Sequence, residues 1–282
     1  MEVKLIDYST APLEKLYAAF RTCYSQKTPI EIWEEITTGK IPKEKIVSFI
    51  EERLKTGHSS PLEQVVFWFA VAGISRSCSH QLVRHHIGIS FEQQSQRYVK
   101  YKEDKLEFIT PKTIKSDPEV YEKYQKVMKE ISDFYQFALN KGIPAEDARF
   151  VLPNATPTNF HILVNFRELQ HIADLRLCTR AQWEIRQLIA KMRSEIMKEI
   201  PELGKFLQPK CGEYRLGYCD EEYKEYIKCP LSKVRPHKED LFRIYNDVVK
   251  NQNLGKTQAK PLSEEEFNII EEKHYPNERE LY

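Results

Sequence analysis

Apolar positions along this chain recur at two spacings, every third or fourth residue in some stretches and in alternating or unbroken runs in others, which mark helices and strands respectively. Residues 3–6 form a short first strand, and Leu13, Leu16, Tyr17 and Phe20 share one helical face. A second amphipathic helix covers residues 42–55, with Ile46, Phe49, Ile50 and Leu54 on one side. Residues 64–73 are β-branched and aromatic, apolar on both faces, and end at a glycine, so they predict a central strand. The pattern then predicts a helix over 74–86, a short strand over 106–109 stopped by Pro111, and a long helix over 117–140. In that last helix Val120, Tyr124, Val127, Ile131, Tyr135 and Leu139 form a stripe suited to core or to a subunit interface. Thr158, Phe160, Ile162 and Val164 alternate as in a half-buried strand.

Asn165 and Glu168 have the spacing of a capping box, so a helix starts after Asn165. A second such pair, Thr179 and Gln182, predicts a break around 174–178 and a restart, with Ile185, Leu188, Ile189, Met192 and Ile196 on one side and Trp183 in the core. The expected architecture is α+β: one domain over 1–205 with a central, mostly antiparallel sheet flanked by long helices. A charged extension over 206–282, with one amphipathic segment at 241–249, packs on it.

Composition narrows the partners. Lys plus Arg (43) nearly cancels Asp plus Glu (42), so no global field draws in nucleic acid or an anionic membrane. No run approaches the ~20 apolar residues of a membrane span, and the start of the chain does not resemble a signal peptide, which points to the cytoplasm. The six cysteines are too few for a disulfide framework at this length. Cys211, Cys219 and Cys229 are irregularly spaced, with no fourth ligand at a recognisable interval; free or buried thiols are expected, with a structural zinc as the alternative. The 9 glycines include no phosphate-cradling loop, so side chains have to hold any nucleotide.

The chemistry gathers in three blocks. Residues 84–98 carry Arg84, His85, His86, Ser90, Glu92, Gln93, Gln94, Ser95 and Arg97 without a lysine, and guanidinium forks suit phosphates and uracil-like edges. Gln81, three and four residues before Arg84 and His85, lies on adjoining ground if the helix continues. Upstream, residues 57–63 place His58, Ser60 and Glu63 in one turn; downstream come Arg149, then Asn165, Arg167, His171 and Arg176. Arg167 and His171 share a helical face, and Asn165 reads as a cap, a ligand, or both. His80, His85 and His86 lack a metal-binding spacing, so no metal is expected there.

The segment Arg84-His85-His86, eight residues, then Ser95-x-Arg97 resembles the signature of the flavin-dependent thymidylate synthase family. It departs in having His86 where the family has Arg and a spacer one residue longer. His58-x-Ser60-Pro-x-Glu63, the Arg149 segment and the 165–176 pattern are similar to further family elements, in the same order. The resemblance implies that FAD is held by Ser25, His58, Ser60, Glu63, Arg84, His85, His86, Glu92, Asn165, Arg167 and His171. Ser25 equally suits a helix-terminal bond to its own backbone. It implies that dUMP is held by Gln81, Arg84, Gln93, Gln94, Ser95, Arg97, Arg149 and Arg176, with Arg176 and Ser95 catalytic.

The activity implied is reductive methylation of dUMP to dTMP, with 5,10-methylenetetrahydrofolate as carbon donor, reduced FAD as hydride source and NADPH reloading it. No cysteine attacks the ring, and a homotetramer shares active sites between subunits. Two other classes stay open on residues alone: a nucleotide- or RNA-binding module without turnover, and a zinc-stabilised interaction protein built on the late cysteines.

Overall fold

A computed structural model describes residues 1–101 and 106–251. Four strands, β1 (Glu2–Tyr8), β2 (Val66–Ser75), β3 (Ile89–Gln93) and β4 (Pro157–Asn165), form one sheet in the order β1-β2-β4-β3 with every neighbouring pair antiparallel. Between β1 and β2 come helices α1 (Pro12–Thr22), α2 (Pro29–Thr37) and α3 (Lys43–Lys55); α4 (Arg76–Leu82) follows β2 directly. Helix α5 (Pro118–Asn140) precedes β4, and α6 (Phe166–Arg176), α7 (Trp183–Glu199) and α8 (Lys238–Asn251) follow it. The α+β expectation and the antiparallel sheet are both realised.

Helix starts follow side chains that accept the first free N–H groups. Thr28 and Glu31 form a reciprocal capping box for α2, and Asp117 caps α5 with Pro118 at the first helical position. The Asn165 side-chain oxygen accepts from Glu168 N–H at 2.8 Å and starts α6 where the capping-box spacing placed it. The break after α6 is real, but Gln182 caps the restart, not Thr179, because its Oε1 takes both the Glu184 and Ile185 amides.

The core lies on one face of the sheet. Phe67, Phe69 and Val71 of β2 and Phe160, Ile162 and Val164 of β4 point into it, in register Phe67↔Val164 and Phe69↔Ile162. Leu16 and Phe20 of α1, Ile32 of α2, Ile50 of α3, Leu169 and Ile172 of α6, and Leu188, Met192 and Ile196 of α7 complete it. Burying each such side chain is worth about 1.5–3 kcal/mol.

Several expected elements differ. β2 is central, yet among the described residues its second face is not covered: Trp68 is 41% and Leu163 of β4 45% exposed. The helix expected over 74–86 is only Arg76–Leu82, because β2 runs on to Ser75, whose hydroxyl then caps α4 by accepting from Cys78 N–H. Residues 106–109 do not join the sheet; Ile109 N–H bonds Ala155 O, and Leu106 is buried as plain coil. Trp183 is half-buried, not core. Of the α5 stripe, Tyr135 and Leu139 pack, while Val120 and Val127 stay exposed beside Phe134 and Phe137. The amphipathic segment is present as α8, but Phe242, Ile244 and Tyr245 remain exposed. Two elements were not anticipated: α2, and the edge strand β3 inside the polar block.

Candidate active site

Where α4 ends and α6 ends, three groups form a relay. Arg176, in the last turn of α6, donates from Nε to His85 Nε2 at 3.1 Å and from a terminal nitrogen to Gln81 O at 3.3 Å. His85 is 6% exposed and sits 3.2 Å, through Nδ1, from Glu168 Oε1. Burial, with the positive charge of Arg176, His171 and His86 added, lowers the His85 pKa to about 4. The imidazole is therefore neutral at neutral pH. Because Nε2 accepts from Arg176, the ring proton resides on Nδ1 and is donated to Glu168, so this contact is a hydrogen bond and not an ion pair. Glu168 is itself raised by burial. The Arg176 guanidinium, half-buried, is thus held from two sides and keeps further N–H groups for a ligand.

The sequence marks Glu168 only as the second member of a capping box, not as a site residue. His85, Glu168 and His171 offer atoms within 4.8 Å of one another. Both ring nitrogens of His85 are engaged as described, so the trio is arranged as a hydrogen-bond relay.

Beside the relay, a cleft of about 550 Å³ is lined by Glu63, Ile87, Asn165, Arg167, Glu168 and His171, together with Tyr214 and Arg215. It joins all three blocks: the turn before β2, the loop before β3 and the start of α6. Arg167 and Glu63 bond across its rim at 2.5 Å, each about half exposed. The loop closes on Asn165: Gly88 has φ +72, and a Cβ there would lie 2.2 Å from Asn165 Nδ2. His58 lies nearby in the chain, its Nδ1 2.9 Å from the Tyr24 hydroxyl and its Nε2 3.2 Å from Ser60 Oγ. Ser25 accepts from Lys27 N–H at 3.1 Å, a local turn bond. His86 is exposed, its Nδ1 3.0 Å from Arg84 O. The cleft is within the ~300–1,000 Å³ typical of ligand pockets. Its guanidinium, imidazole and amide donors facing a carboxylate acceptor fit a dinucleotide with phosphates and sugar hydroxyls.

A second group of cations lies apart. Arg97 donates to Glu146 Oε2 at 2.6 Å, and Arg149 donates from Nε to Glu146 O at 3.1 Å, so the two share one anchor although 52 residues separate them. Ser95 Oγ accepts from the Arg97 N–H. Arg76, not anticipated from the sequence, joins them: its proton affinity is lowered by burial and by the charge of Arg149. Gln93 donates to Thr158 Oγ1 at 3.0 Å, and Gln94 accepts from Asn159 Nδ2 at 2.9 Å. Glu92, Gln93 and Gln94 line a broad groove of about 1000 Å³ with Lys4, Ala72 and His161. Some of the expected residues thus fall into the relay and cleft, the Arg97–Arg149 pair, and the sheet groove, whereas Ser25, His58, Ser60 and His86 line neither the cleft nor the groove.

The Cys78 thiol behind the relay is not activated. Cys78 is buried and its pKa is pushed up to about 12 by desolvation, with the Glu184 charge adding to it. Glu184, 2% exposed, is satisfied by Ser75 N–H at 2.7 Å and Ser75 Oγ at 2.5 Å.

Fold and site together define an α+β protein in which arginines, histidines and amides from separated segments line clefts, in a sequence without a glycine-rich phosphate loop. The chain belongs to the thymidylate synthase complementing protein family, whose model matches residues 4–202. A flavin-dependent thymidylate synthase of Pyrococcus furiosus is 41% identical over 227 residues, 78% of this chain and 90% of that one. That of Clostridium tetani is 39% identical over 237 residues, 78% and 91% of the two chains. The Pyrococcus horikoshii relative is 40% identical over 254 residues, 87% of this chain and all of its own, so the likeness runs past residue 205 into the extension. Among solved structures, a UMP/dUMP methylase, PolB, from Streptomyces cacaoi, bound with 5-Br dUMP, has a similar fold: TM-score 0.59, 22% identity, 73% of this chain and 93% of that one.

Proposed function

We propose that this protein is an FAD-dependent methyltransferase that converts dUMP to dTMP. The one-carbon unit comes from 5,10-methylenetetrahydrofolate and NADPH reloads the flavin. The observation that carries the reading is the Arg176–His85–Glu168 relay at the edge of a cleft built from all three family blocks. The curated relatives, about 40% identical over most of their length, support it. The near-neutral chain and the absence of a long basic surface in the sequence give no support to an RNA-binding module.

FAD, when bound and reduced by NADPH, would supply the hydride. Arg167, His171, Asn165, Glu63, His58 and Ser60 are the side chains suited to hold it, with Arg84, His85, His86, Glu92 and Ser25 completing the set. Arg97, Arg149 and Ser95 take the dUMP phosphate, and Gln81, Arg84, Gln93 and Gln94 orient the nucleotide. Arg176 faces the uracil carbonyls and stabilises the negative charge that develops as C5 attacks the one-carbon unit, a preorganised electrostatic role. Neutral His85 serves this step by accepting from Arg176, which orients the guanidinium without adding a competing cation.

The active form is a cytoplasmic homotetramer in which neighbouring chains bring the cleft, the Arg97–Arg149 pair and the sheet groove into shared sites. Exposed Trp68, Leu163, Val127, Phe134 and Phe137 support such burial. Arg176→Ala and Arg176→Lys are the decisive variants: both are expected to lower dTMP formation by ~10²–10³ or more while yellow, FAD-loaded protein is still recovered. Turnover within a few-fold of the parent in either would overturn the role.

A further inference from the structure

Outside the active site, the fold brings four cysteines to one small hollow. Cys178 follows α6 immediately, and Cys211, Cys219 and Cys229 come from the extension; all four line a space of about 30 Å³. The sequence shows three late cysteines without a partner, and the missing fourth comes from 33 residues upstream of Cys211. We propose that these four thiols bind a single zinc ion that staples the extension to the end of α6.

The surroundings fit thiolate ligands. Thr179 Oγ1 donates to Cys229 Sγ at 3.2 Å, and the Glu221 backbone N–H bonds the Cys219 thiol, the kind of outer contact that steadies a metal-bound sulfur. Cys219 is clamped on both sides, its N–H to Pro236 O at 2.8 Å and its carbonyl accepting from Lys238 N–H at 2.9 Å.

Other ligands are already committed. Glu221 and Glu225 at the rim pair with Arg180, and both ring nitrogens of the buried His237 are bonded, to Glu221 O and to Glu239 N–H. Among the described residues no three of the four sulfurs lie within 4.8 Å of one another. Zinc–sulfur bonds of about 2.3 Å in a tetrahedron bring sulfurs to about 3.8 Å apart, so binding contracts the hollow. A hollow lined by four thiols with no competing free ligand suits one tetrahedrally bound ion.

The extension needs such a staple. Between residues 205 and 237 no helix exceeds four residues, and Leu216, Tyr223, Ile227 and Val234 face solvent. A loop-rich segment with so little core gains stability outright from a structural metal. Cys211 and Cys219 also bracket Tyr214 and Arg215, which line the cleft beside α6, and Arg215 pairs with the buried Asp174. The metal therefore holds that wall of the cleft, whatever ligand the cleft takes.

The test uses the full chain purified without added metal or chelator. Elemental analysis is expected to find one zinc per chain. Thiol titration is expected to release four additional cysteines only after the metal is stripped. Cys219→Ser with Cys229→Ser should lower zinc at least tenfold, whereas Cys23→Ser, at an exposed thiol outside the cluster, should retain it. Should the double variant not fold, cobalt exchanged into the parent protein must give the visible bands of a tetrahedral tetrathiolate. Zinc-free protein with all four thiols freely titrating, disulfides among them, or iron with sulfide would each overturn the assignment.

Discussion

Acid should weaken this fold through one imidazole, and the size of the effect follows from the His85 site. In the unfolded chain His85 titrates near the ordinary imidazole value of about 6.5; in the fold it titrates at about 4. Between those values the unfolded chain holds the proton and the folded chain does not. Stability therefore rises with pH across that window, is fully present above its upper end and is lost as pH falls toward the lower. At about 1.4 kcal/mol per tenfold change in proton affinity the full displacement is worth ~3 kcal/mol, and water reaching the site through the adjoining cleft reduces it toward ~1.5. Glu168, raised by burial, acts in the opposite sense, and His171, His86 and Arg176 are the other charged groups facing the ring. A comparison isolates His85: His85→Gln keeps an acceptor for Arg176 and a donor for Glu168 but cannot titrate. Urea unfolding followed by circular dichroism from about pH 4.5 to 7.5 should show the parent losing ~1–2.5 kcal/mol more than the variant on acidification. Parallel curves would mean that His85 is not held neutral by its surroundings, and the relay as drawn would fail with it.

Two further substitutions probe other joints of the site. Gly88→Ala places a Cβ against the Asn165 amide at a φ of +72, so both the backbone penalty and loss of the α6 cap apply. The expected cost is ~2–3 kcal/mol in chemical denaturation, and a change under ~0.5 would refute the close approach. Arg149→Ala removes a charge-assisted contact worth about 1.5–3 kcal/mol, so the KM for dUMP should rise roughly 10- to 150-fold with FAD binding unchanged. An unchanged KM would detach Arg149 from the phosphate.

What was legible in the sequence was what depends on near neighbours. The start of α6 could be placed because Asn165 and Glu168 are three apart and the cap is a local bond. Thr28 and Glu31 carry the same local signal for α2. β3 was hidden because an edge strand with one face open needs few apolar residues; Ile89, Phe91 and Gln93 alternate, but the polar content of the block masked them. The role of Glu168 was out of reach for another reason. Its backbone amide serves the cap, and nothing in the neighbouring sequence shows that its carboxylate meets His85, 83 positions earlier. The same holds for Arg97 and Arg149, brought to one glutamate from opposite sides of α5, and for Cys178, whose companions lie beyond the break that follows α6.

The cations meant for ligands are not left bare, and the way they are paired explains how a site rich in arginine can coexist with a near-neutral chain. Arg97 with Glu146 and Arg167 with Glu63 are each roughly half exposed on both sides. Pairs of that kind contribute only about 0–1 kcal/mol, since water screens the attraction and ordering two long side chains opposes it. A phosphate offering two or three charge-assisted bonds in a less hydrated setting exceeds that several-fold, so the ligand can take each arginine from its glutamate at little cost. Arg176 is different. It is partnered by a neutral imidazole and a backbone carbonyl, neither of which cancels its charge. On the proposed function, the exposed pairs act as exchangeable holders for arms that bind phosphate, whereas the relay keeps an uncompensated charge in one orientation, as stabilising a transient negative charge on a pyrimidine ring requires.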